Sequence, residues 1–345
     1  MKSIPKFSII LILTLLFLSY IFIFNNAPKE AILVPETQWA LNNNGQLIKE
    51  VNGKKDVDIN AVEAWEITKG NSDVVIGVID TGIEVSNKNL ESSIYINDQE
   101  IPNNGIDDDK NGYIDDINGW DFYNNDNTLY DDLLWDHHGT FITSLIVSNH
   151  SDDNKIWGIA PNVKVLPMKF LQGSSGNIND AIRAIDYAYS MGVRIINCSW
   201  DMLEFNDTLY KKMKEYKDVL FITSAGKEDF NLIDDKIYPC AFDLKNVICV
   251  KAIDNKGDKY VYSGYGLDNI VAAPGVELTG LMPENENFSY SGTSFATAYV
   301  SGIAALIKSN NPNLNSIEIA EILIKSRKGS DKGYIIDAEK ALKSK

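Results

Sequence analysis

Histidine and cysteine are scarce in this 345-residue chain, which contains three of each. Cys198, Cys240 and Cys249 cannot all pair with one another, and each lies in apolar sequence, which predicts thiols that pack inertly in the core. So few cysteines exclude a small disulfide scaffold. With 23 glycines, 10 prolines and 44% hydrophobic residues, the chain is neither a collagen-like rod nor disordered.

Basic residues are also few relative to acidic ones. Lys and Arg number 32 against 48 Asp and Glu, which gives a net charge of −16 and a pI of about 4.6. Because such a chain repels phosphate groups, general binding to nucleic acid is not expected. The excess acid either keeps the protein soluble or holds cations.

Only one segment is continuously apolar over the length that a membrane requires. Residues 7–24 form this run, and Lys2 and Lys6 precede it. The run is typical of a signal-peptide core or of a membrane-spanning helix. The residues that follow the run lack the small side chains of a cleavage site, which favours a retained signal anchor over a cleaved peptide. The two lysines would then lie on the inner side of the membrane and the rest of the chain on the outer side.

The remaining sequence suggests a simple organisation. We expect residues 1–27 to be a signal anchor or signal peptide, residues 28–45 to be a polar tether, and residues 46–345 to form a single domain. The N-terminal segment would then place the domain outside the cell, attached to the membrane, or secreted if the segment is cleaved. We expect the domain to be a monomer.

Six short apolar runs have the character of strands that are covered on both faces. They are residues 74–79, 163–170, 193–200, 219–224, 247–253 and 270–273. Helical patterns cover residues 178–191, 292–309 and 316–325. This alternation predicts a three-layer α/β fold around a doubly wound, mainly parallel sheet, with a site at the carboxyl ends of the strands.

Three polar motifs follow or begin elements of this predicted fold. Asp80 ends the first strand, His138 opens an apolar helix, and Ser294 begins the most apolar helix of the body. A hydroxyl nucleophile needs an imidazole base, and the base needs a carboxylate that fixes its tautomer. The backbone N–H of Ser294 at a helix start is in addition a candidate oxyanion donor. The sequence therefore predicts an Asp-His-Ser triad.

The order of these residues along the chain separates this arrangement from other hydrolases. The α/β-hydrolases have the order Ser, Asp, His, and the chymotrypsin-like enzymes have His, Asp, Ser. Each motif alone is also a common structural feature, a turn at Asp80 and a helix cap at Ser294. An esterase is disfavoured because Ser294 begins a helix instead of lying on a strand-to-helix elbow.

From residue 39 onward the chain resembles the subtilases, the serine peptidase family of subtilisin, thermitase and kexin. The matching stretches are residues 39–46, 74–83, 138–140, 158–165, 271–275 and 291–297. The resemblance implies a subtilisin-like fold and a peptidase that acts on polypeptides. It also implies that Asp80 orients His138, that His138 is general base and then acid, and that Ser294 is the acylated nucleophile.

Two departures from the family pattern lie at the expected catalytic cleft. Lys227 stands where the family has an asparagine that donates to the oxyanion, which leaves Thr293 and the Ser294 N–H as further candidate donors. The expected substrate-binding residues include Ala225 and Gly226. They also include Ser199, Trp200 and Asp201, where Asp201 replaces a family glycine and would narrow the cleft or favour a basic substrate residue.

An acidic insert separates the first two motifs. Residues 98–136 contain 12 acidic residues and one base, Lys110. Oxygen ligands at alternate positions around a glycine are typical of a loop that wraps Ca²⁺, although the glutamate and flanking helices of an EF-hand are missing. The expected ligands are Asp107, Asp109, Asn111, Tyr113 and Asp115. The alternative is a solvated acidic loop.

Three functional hypotheses remain. An active, tethered or secreted serine endopeptidase is favoured by the complete triad. A subtilase-fold pseudoenzyme that binds a peptide or protein partner is favoured by Lys227 and Asp201. A calcium-dependent adhesion module explains the acidic residues but leaves the order of the triad to chance.

Overall fold

The secondary structure alternates strands and helices from Val75 onward. The computed structural model describes residues 32–151, 153–329 and 334–344. Its strands are β1 (Leu47–Ile48), β2 (Val51–Asn52), β3 (Val75–Asp80), β4 (Trp120–Asp121), β5 (Lys164–Lys169), β6 (Leu171–Gln172), β7 (Ser175–Gly176), β8 (Ile195–Cys198), β9 (Leu220–Ser224), β10 (Val247–Ile253), β11 (Ile270–Pro274), β12 (Leu278–Leu281), β13 (Asn287–Tyr290), β14 (Arg327–Lys328) and β15 (Ile335–Ile336). Its helices are α1 (Ala61–Trp65), α2 (Leu133–Val147), α3 (Ile178–Ser190), α4 (Asp207–Glu215), α5 (Thr293–Asn310), α6 (Ser316–Lys325) and α7 (Ala338–Lys343).

Seven parallel strands form the central sheet, in the order β11-β10-β9-β8-β3-β5-β4. Helices α2 and α5 pack on one face, and α3 and α4 pack on the other. The predicted three-layer α/β fold is therefore confirmed. Strand order changes direction at β3, which has β5 on one side and β8 on the other, so the carboxyl end of β3 lies at the point where such sheets form their sites.

Helix α5 is the central helix of the body. Its residues from Phe295 to Ile307 are all buried, as expected for a helix that is apolar on every face. A side chain at Gly302 would overlap Ile159, so glycine allows the helix to pass close to that loop. The N-terminus of α5 is consequently held at a fixed place beside the sheet.

The cysteines differ from the expectation of three inert thiols. Cys240 and Cys249 form a disulfide that ties a loop to β10, whereas Cys198 is free and buried. The prediction was wrong for the bonded pair because nine residues of sequence fold back and bring the two sulfur atoms together. Burial raises the pKa of Cys198, and the nearby charge of Asp80 adds to this effect.

The N-terminal boundary of the body also differs from the prediction. The compact unit begins at Val34, and Trp39 is completely buried, with its indole N–H donating to the carbonyl oxygen of Val276 at 3.0 Å. The expected tether of residues 28–45 therefore does not hold from Gln38 onward. The predicted anchor, residues 1–27, lies outside the described residues and stays a prediction. Among the helices of the described ranges, none combines the length and the hydropathy needed to cross a membrane.

His150 lies in a small aromatic cluster away from the sheet edge. Its ring stacks on Trp157 and meets the edge of Trp65, each at a centroid distance of 4.5 Å. Its Nε2 atom lies 2.8 Å from the carbonyl oxygen of Gly158, and its Nδ1 lies 3.2 Å from Lys69 Nζ. Burial lowers the pKa of His150 to about 4. The charge of Lys69 also lowers this pKa, whereas the hydrogen bond to Gly158 raises it.

We predict that this neutral histidine makes the fold sensitive to acid. Between pH 6.5 and 4 the unfolded imidazole takes up a proton that the folded one does not, so stability falls as the pH falls through this window. The loss amounts to about 3 kcal/mol at most. His150→Phe keeps a stacking ring but cannot titrate. Urea unfolding at several pH values should show the wild type losing stability relative to this variant, and a constant difference would contradict the prediction.

Candidate active site

Asp80 is presented by the carboxyl end of a buried strand. Its side chain is buried, and its Oδ1 accepts the Thr81 backbone N–H at 2.7 Å. The chain then turns sharply at Gly82, whose φ is +123°. A Cβ atom there would lie 2.5 Å from the Leu129 carbonyl oxygen, so this exit from β3 requires glycine.

The second turn of α2 is interlocked with this exit. A side chain at Gly139 would overlap the carbonyl oxygen of Gly82, so the two backbones approach as closely as glycine permits. The Gly139 N–H donates to Thr81 Oγ1 at 3.1 Å, and the Glu84 N–H donates to Thr140 Oγ1 at 3.0 Å. These contacts explain the residue types of the Asp-Thr-Gly and His-Gly-Thr motifs.

The interlock brings His138 onto Asp80. His138 Nδ1 lies 2.7 Å from Asp80 Oδ1, and since the carboxylate only accepts, Nδ1 carries the donated proton. The imidazole is partly exposed and the carboxylate is almost completely buried. Burial lowers the pKa of His138, but the charge and hydrogen bond of Asp80 outweigh this effect, so the pKa is raised above 6.5.

Ser294 lies at the second position of α5. Its Oγ donates to the carbonyl oxygen of Ser199 at 3.0 Å, and Ser199 Oγ donates to the carbonyl oxygen of Ser294 at 2.9 Å. The next residue, Phe295, packs against the His138 ring with a centroid distance of 5.6 Å. The structure thus brings the three predicted triad residues to one edge of the sheet, with the hydroxyl bonded to Ser199 instead of the imidazole.

The predicted oxyanion residues lie together, but their side chains are used differently. Thr293 Oγ1 donates to the carbonyl oxygen of Gly226 at 2.9 Å, so this hydroxyl ties the loop after β9 to the start of α5. Gly226 has a φ of +78°, and a side chain there would meet Ile237. Lys227 is exposed at the end of this turn.

The predicted substrate wall follows β8. Ser199 is buried by its bonds to α5, and the Trp200 ring packs inward against Phe170 at a centroid distance of 5.2 Å, so neither presents its side chain as a free surface. Asp201 is exposed, yet desolvation by its surroundings raises its pKa, which Lys227 opposes. The charge of Lys227 therefore reaches the Asp201 carboxyl group.

The acidic insert brings three carboxylates together. Ligand atoms of Glu100, Asp109 and Asp116 all lie within 4.8 Å of one another. Glu100 and Asp116 are buried, and no Lys or Arg of the described ranges forms an ion pair with any of the three. Asn97 donates to both Asp109 and Asp116 at 3.0 Å. Only Asp109 belongs to the ligand set expected from sequence.

The other expected ligands have local partners. Asp107 accepts the backbone N–H groups of Asn111 and Gly112, and Asp115 accepts those of Asn104 and Gly105. The Tyr113 ring packs in an aromatic cluster with Trp120, Phe122 and Tyr187. Sequence spacing missed Glu100 and Asp116, which lie outside the alternating pattern although they belong to the same insert.

Sequence reasoning also missed Lys169. This lysine ends β5 beside Asp80, is completely buried, and forms ion pairs with Asp121, Asp131 and Asp136. The signal available in the sequence was a lysine near the end of a predicted strand that is apolar apart from Lys164.

Comparison with known proteins agrees with this architecture. The model of the subtilase family matches residues 71–338. The chain is 30% identical over 264 residues to a thermophilic serine proteinase of Bacillus sp. (strain AK1). This match covers 75% of the present chain and 58% of that proteinase. It is 31% identical over 272 residues to subtilisin-like protease 1 of Plasmodium vivax, covering 72% of this chain and 42% of that protein. The chain therefore spans about half the length of these curated relatives.

Thermitase of Thermoactinomyces vulgaris is 27% identical over 265 residues, covering 76% of this chain and 84% of thermitase. A protease from Pseudoalteromonas arctica PAMC 21717 shares the fold with a TM-score of 0.69 at 22% identity, covering 89% of this chain and 96% of that one. The prenylagaramide maturation protease PagA also shares the fold, with a TM-score of 0.64 at 22% identity, and the match covers 82% of this chain and 97% of that one. Together with the family match over most of its length, this means that the chain belongs to the subtilase family.

Proposed function

We propose that the chain is a serine endopeptidase in which Asp80, His138 and Ser294 act as the catalytic triad. The observation that carries the proposal is the 2.7 Å hydrogen bond between Asp80 and His138, formed beside a serine at the start of a buried helix. This is the geometry in which a carboxylate fixes the tautomer of a base that serves a hydroxyl nucleophile. Family membership supports the same reaction class.

In the proposed reaction, Ser294 Oγ leaves the Ser199 carbonyl, gives its proton to His138 Nε2 and attacks the substrate carbonyl carbon. The Ser294 backbone N–H points out of the start of α5, where the helix dipole favours the negative charge that develops on the substrate oxygen. His138 then protonates the leaving amine, and water hydrolyses the acyl-enzyme by the reverse proton transfers.

The alternative is a subtilase-fold pseudoenzyme that binds a peptide or protein partner. Lys227 supports it, because loss of the corresponding asparagine donor costs about 10²–10³ in rate in the type enzyme of the family. The exposed Asp201, which replaces a family glycine, supports it as well. The peptidase is favoured because Asp80 holds His138 at 2.7 Å and Thr81 ties the same segment to Gly139.

We further propose that the acidic insert binds Ca²⁺. Glu100 and Asp116 are buried with hydrogen-bond donors but no basic partner among the described residues, so a cation would add charge compensation, and hard oxygen donors are the ligands that Ca²⁺ prefers. Glu100, Asp109 and Asp116 would hold the ion, and the predicted ligands Asp107 and Asp115 would join only by releasing the backbone N–H groups that they accept. The ion would supply structural charge to the insert and no catalytic step.

We also propose that residues 1–27 tether the chain to the cell membrane with the peptidase outside, or direct its secretion. The support is the apolar run of residues 7–24 behind Lys2 and Lys6. The substrates would be polypeptides, and the net charge of −16 favours partners other than nucleic acid.

The proposed activity predicts covalent labelling of Ser294 by a fluorophosphonate, which reacts with an activated serine hydroxyl. The full-length wild type should be labelled and Ser294→Ala should not. Ser309→Ala, a change at the far end of the same helix, should be labelled like the wild type. A correctly folded wild type that resists labelling would instead favour the pseudoenzyme.

The pH dependence of labelling tests the role of Asp80. Only the neutral imidazole accepts the serine proton, so the rate should rise with pH through a pKa above 6.5. Asp80→Asn removes the charge that raises this pKa and should shift the midpoint down. It should also slow labelling by about 10⁴-fold. Asp73→Asn, an exposed change just before the same strand, is the control. An unmoved midpoint in Asp80→Asn would contradict the assignment.

The calcium proposal predicts a rise in melting temperature when millimolar Ca²⁺ replaces a chelator. A ligand present at 100 times its dissociation constant stabilises the folded state by about 2.7 kcal/mol. Asp116→Asn should reduce this rise, because it removes a buried ligand charge, whereas Asp98→Asn at an exposed position of the insert should not. Equal melting temperatures with and without Ca²⁺ would refute the site.

A further inference from the structure

Lys169 is a completely buried lysine next to the candidate triad. It is the last residue of β5 and pairs in register with Asp80, the last residue of β3. The backbone N–H of the next residue, Phe170, donates to the Asp80 carbonyl oxygen at 3.0 Å. A Cβ built on Gly82 would lie 3.1 Å from the Lys169 Cδ atom, so the lysine chain runs directly beneath the turn that follows Asp80.

The Lys169 ammonium joins three separate parts of the chain. It lies 3.4 Å from Asp121 Oδ2, on the edge strand β4, and 2.9 Å from Asp136 Oδ2, in the first turn of α2. It also forms an ion pair with Asp131, in the loop that leads into α2. Asp136 lies two residues before His138, and its carboxylate also accepts the Asp131 backbone N–H at 2.8 Å.

These charges are costly to bury. Burial lowers the pKa of Lys169, but hydrogen bonds to Asp131 and Asp136 and the charge of Asp121 outweigh this effect and raise it, so the lysine is charged. Burial also raises the pKa of Asp121, although its backbone hydrogen bonds and the charge of Lys169 lower it. A buried ion pair is often no more stabilising than apolar residues of the same volume, so stability alone gives no reason for this arrangement.

We propose that Lys169 is a positioning residue for the triad. Its ion pairs with Asp131 and Asp136 hold the first turn of α2, and with it the imidazole of His138, against the Asp80 carboxylate. The inference rests on the proposed function, because it assigns the cluster to that same site.

The contacts show why this lysine acts on both partners of the pair. Its backbone pairs with Asp80, and its alkyl chain packs against Gly82. Its ammonium forms an ion pair with Asp136, just before His138. Glycine permits the close approach of α2 to β3 but exerts no force that maintains it. The ion pairs add such a force to the two hydrogen bonds that join Thr81 to Gly139 and Glu84 to Thr140.

The test replaces Lys169 with methionine, which keeps the length of the chain and removes the charge. The histidines number only three, so ¹⁵N-histidine labelling resolves the downfield proton of the His138 Nδ1–H to Asp80 hydrogen bond. Lys169→Met should broaden this signal or move it upfield and slow fluorophosphonate labelling by about 10²-fold, as expected for a displacement of about 1 Å. Lys164→Met, the same change at the half-buried start of β5, where the ammonium donates to the carbonyl oxygen of Ser92, should alter neither.

A second variant guards against misfolding, because Lys169→Met leaves buried carboxylates uncompensated. Asp136→Asn is isosteric, keeps the lysine paired with Asp121 and Asp131, and should show the same two effects in weaker form. In an Asp80→Asn background the Lys169→Met effect on labelling should nearly vanish, whereas a purely structural role would give the same factor in both backgrounds.

The two proposals fail in different ways. If the wild type is not labelled, the proposed activity fails, while the His138 signal of each variant still supports or refutes the positioning role. If the wild type is labelled, and folded Lys169→Met and Asp136→Asn keep both the signal and the labelling rate of the wild type, the positioning role is overturned.

Discussion

The contact between the backbones of Gly82 and Gly139 is the constraint on which the site depends. Because neither residue has a side chain, the second turn of α2 comes close enough to the end of β3 for His138 to reach Asp80 at 2.7 Å. Thr81 then bonds the Gly139 N–H, which fixes the rotation of the helix about its axis. Any larger residue at either glycine would separate the imidazole from its carboxylate. The third residue, Ser294, depends on a different constraint, the burial of α5 across the centre of the sheet.

The acidic excess is divided between sites with different physical roles. Around Lys169, three carboxylates are compensated by one buried lysine, and they join β4, β5 and α2 beside the triad. Around Asn97, the carboxylates of Asp109 and Asp116 meet an amide and no basic residue of the described ranges. The charges of the first cluster are compensated within the protein, whereas the second cluster is the one to which we assign the proposed Ca²⁺ ion. A net charge of −16, which on the sequence served only to disfavour nucleic acid, is thus partly a local property of the segment before His138.

The sequence allowed the fold to be predicted and the triad to be proposed, because both depend on local patterns. Apolar runs of strand length and the residues that directly follow them specify where Asp80 lies, and helix starts specify Ser294. Contacts between distant segments are not written in this way. Lys169 is one of two lysines in β5, and only the register of β5 between β3 and β4 brings it to Asp131 and Asp136. The prediction from the alternating pattern of the insert assumed that a single turn supplies every ligand. In the structure, Glu100 and Asp116 lie outside that turn in sequence, and the fold brings them next to Asp109. The Cys240–Cys249 disulfide was missed for the same reason. The two cysteines are nine residues apart, and the sequence between them does not indicate that the chain reverses direction and brings them together.

The loop that carries Lys227 bears on whether the site is organised for catalysis. Thr293 bonds the carbonyl oxygen of Gly226 at 2.9 Å, and Gly226 adopts a φ that favours glycine, so the backbone of this turn is fixed to the start of α5 whatever side chain follows it. The replacement at 227 therefore changes one donor and leaves the frame around it in place. A protein that only binds a partner has no need for a buried carboxylate to hold an imidazole in one tautomer, or for a helix start whose N–H groups face the same space. Those features act on charge that develops during a reaction. These features are the support for the proposed acyl transfer, in which Lys227 would alter one oxyanion contact.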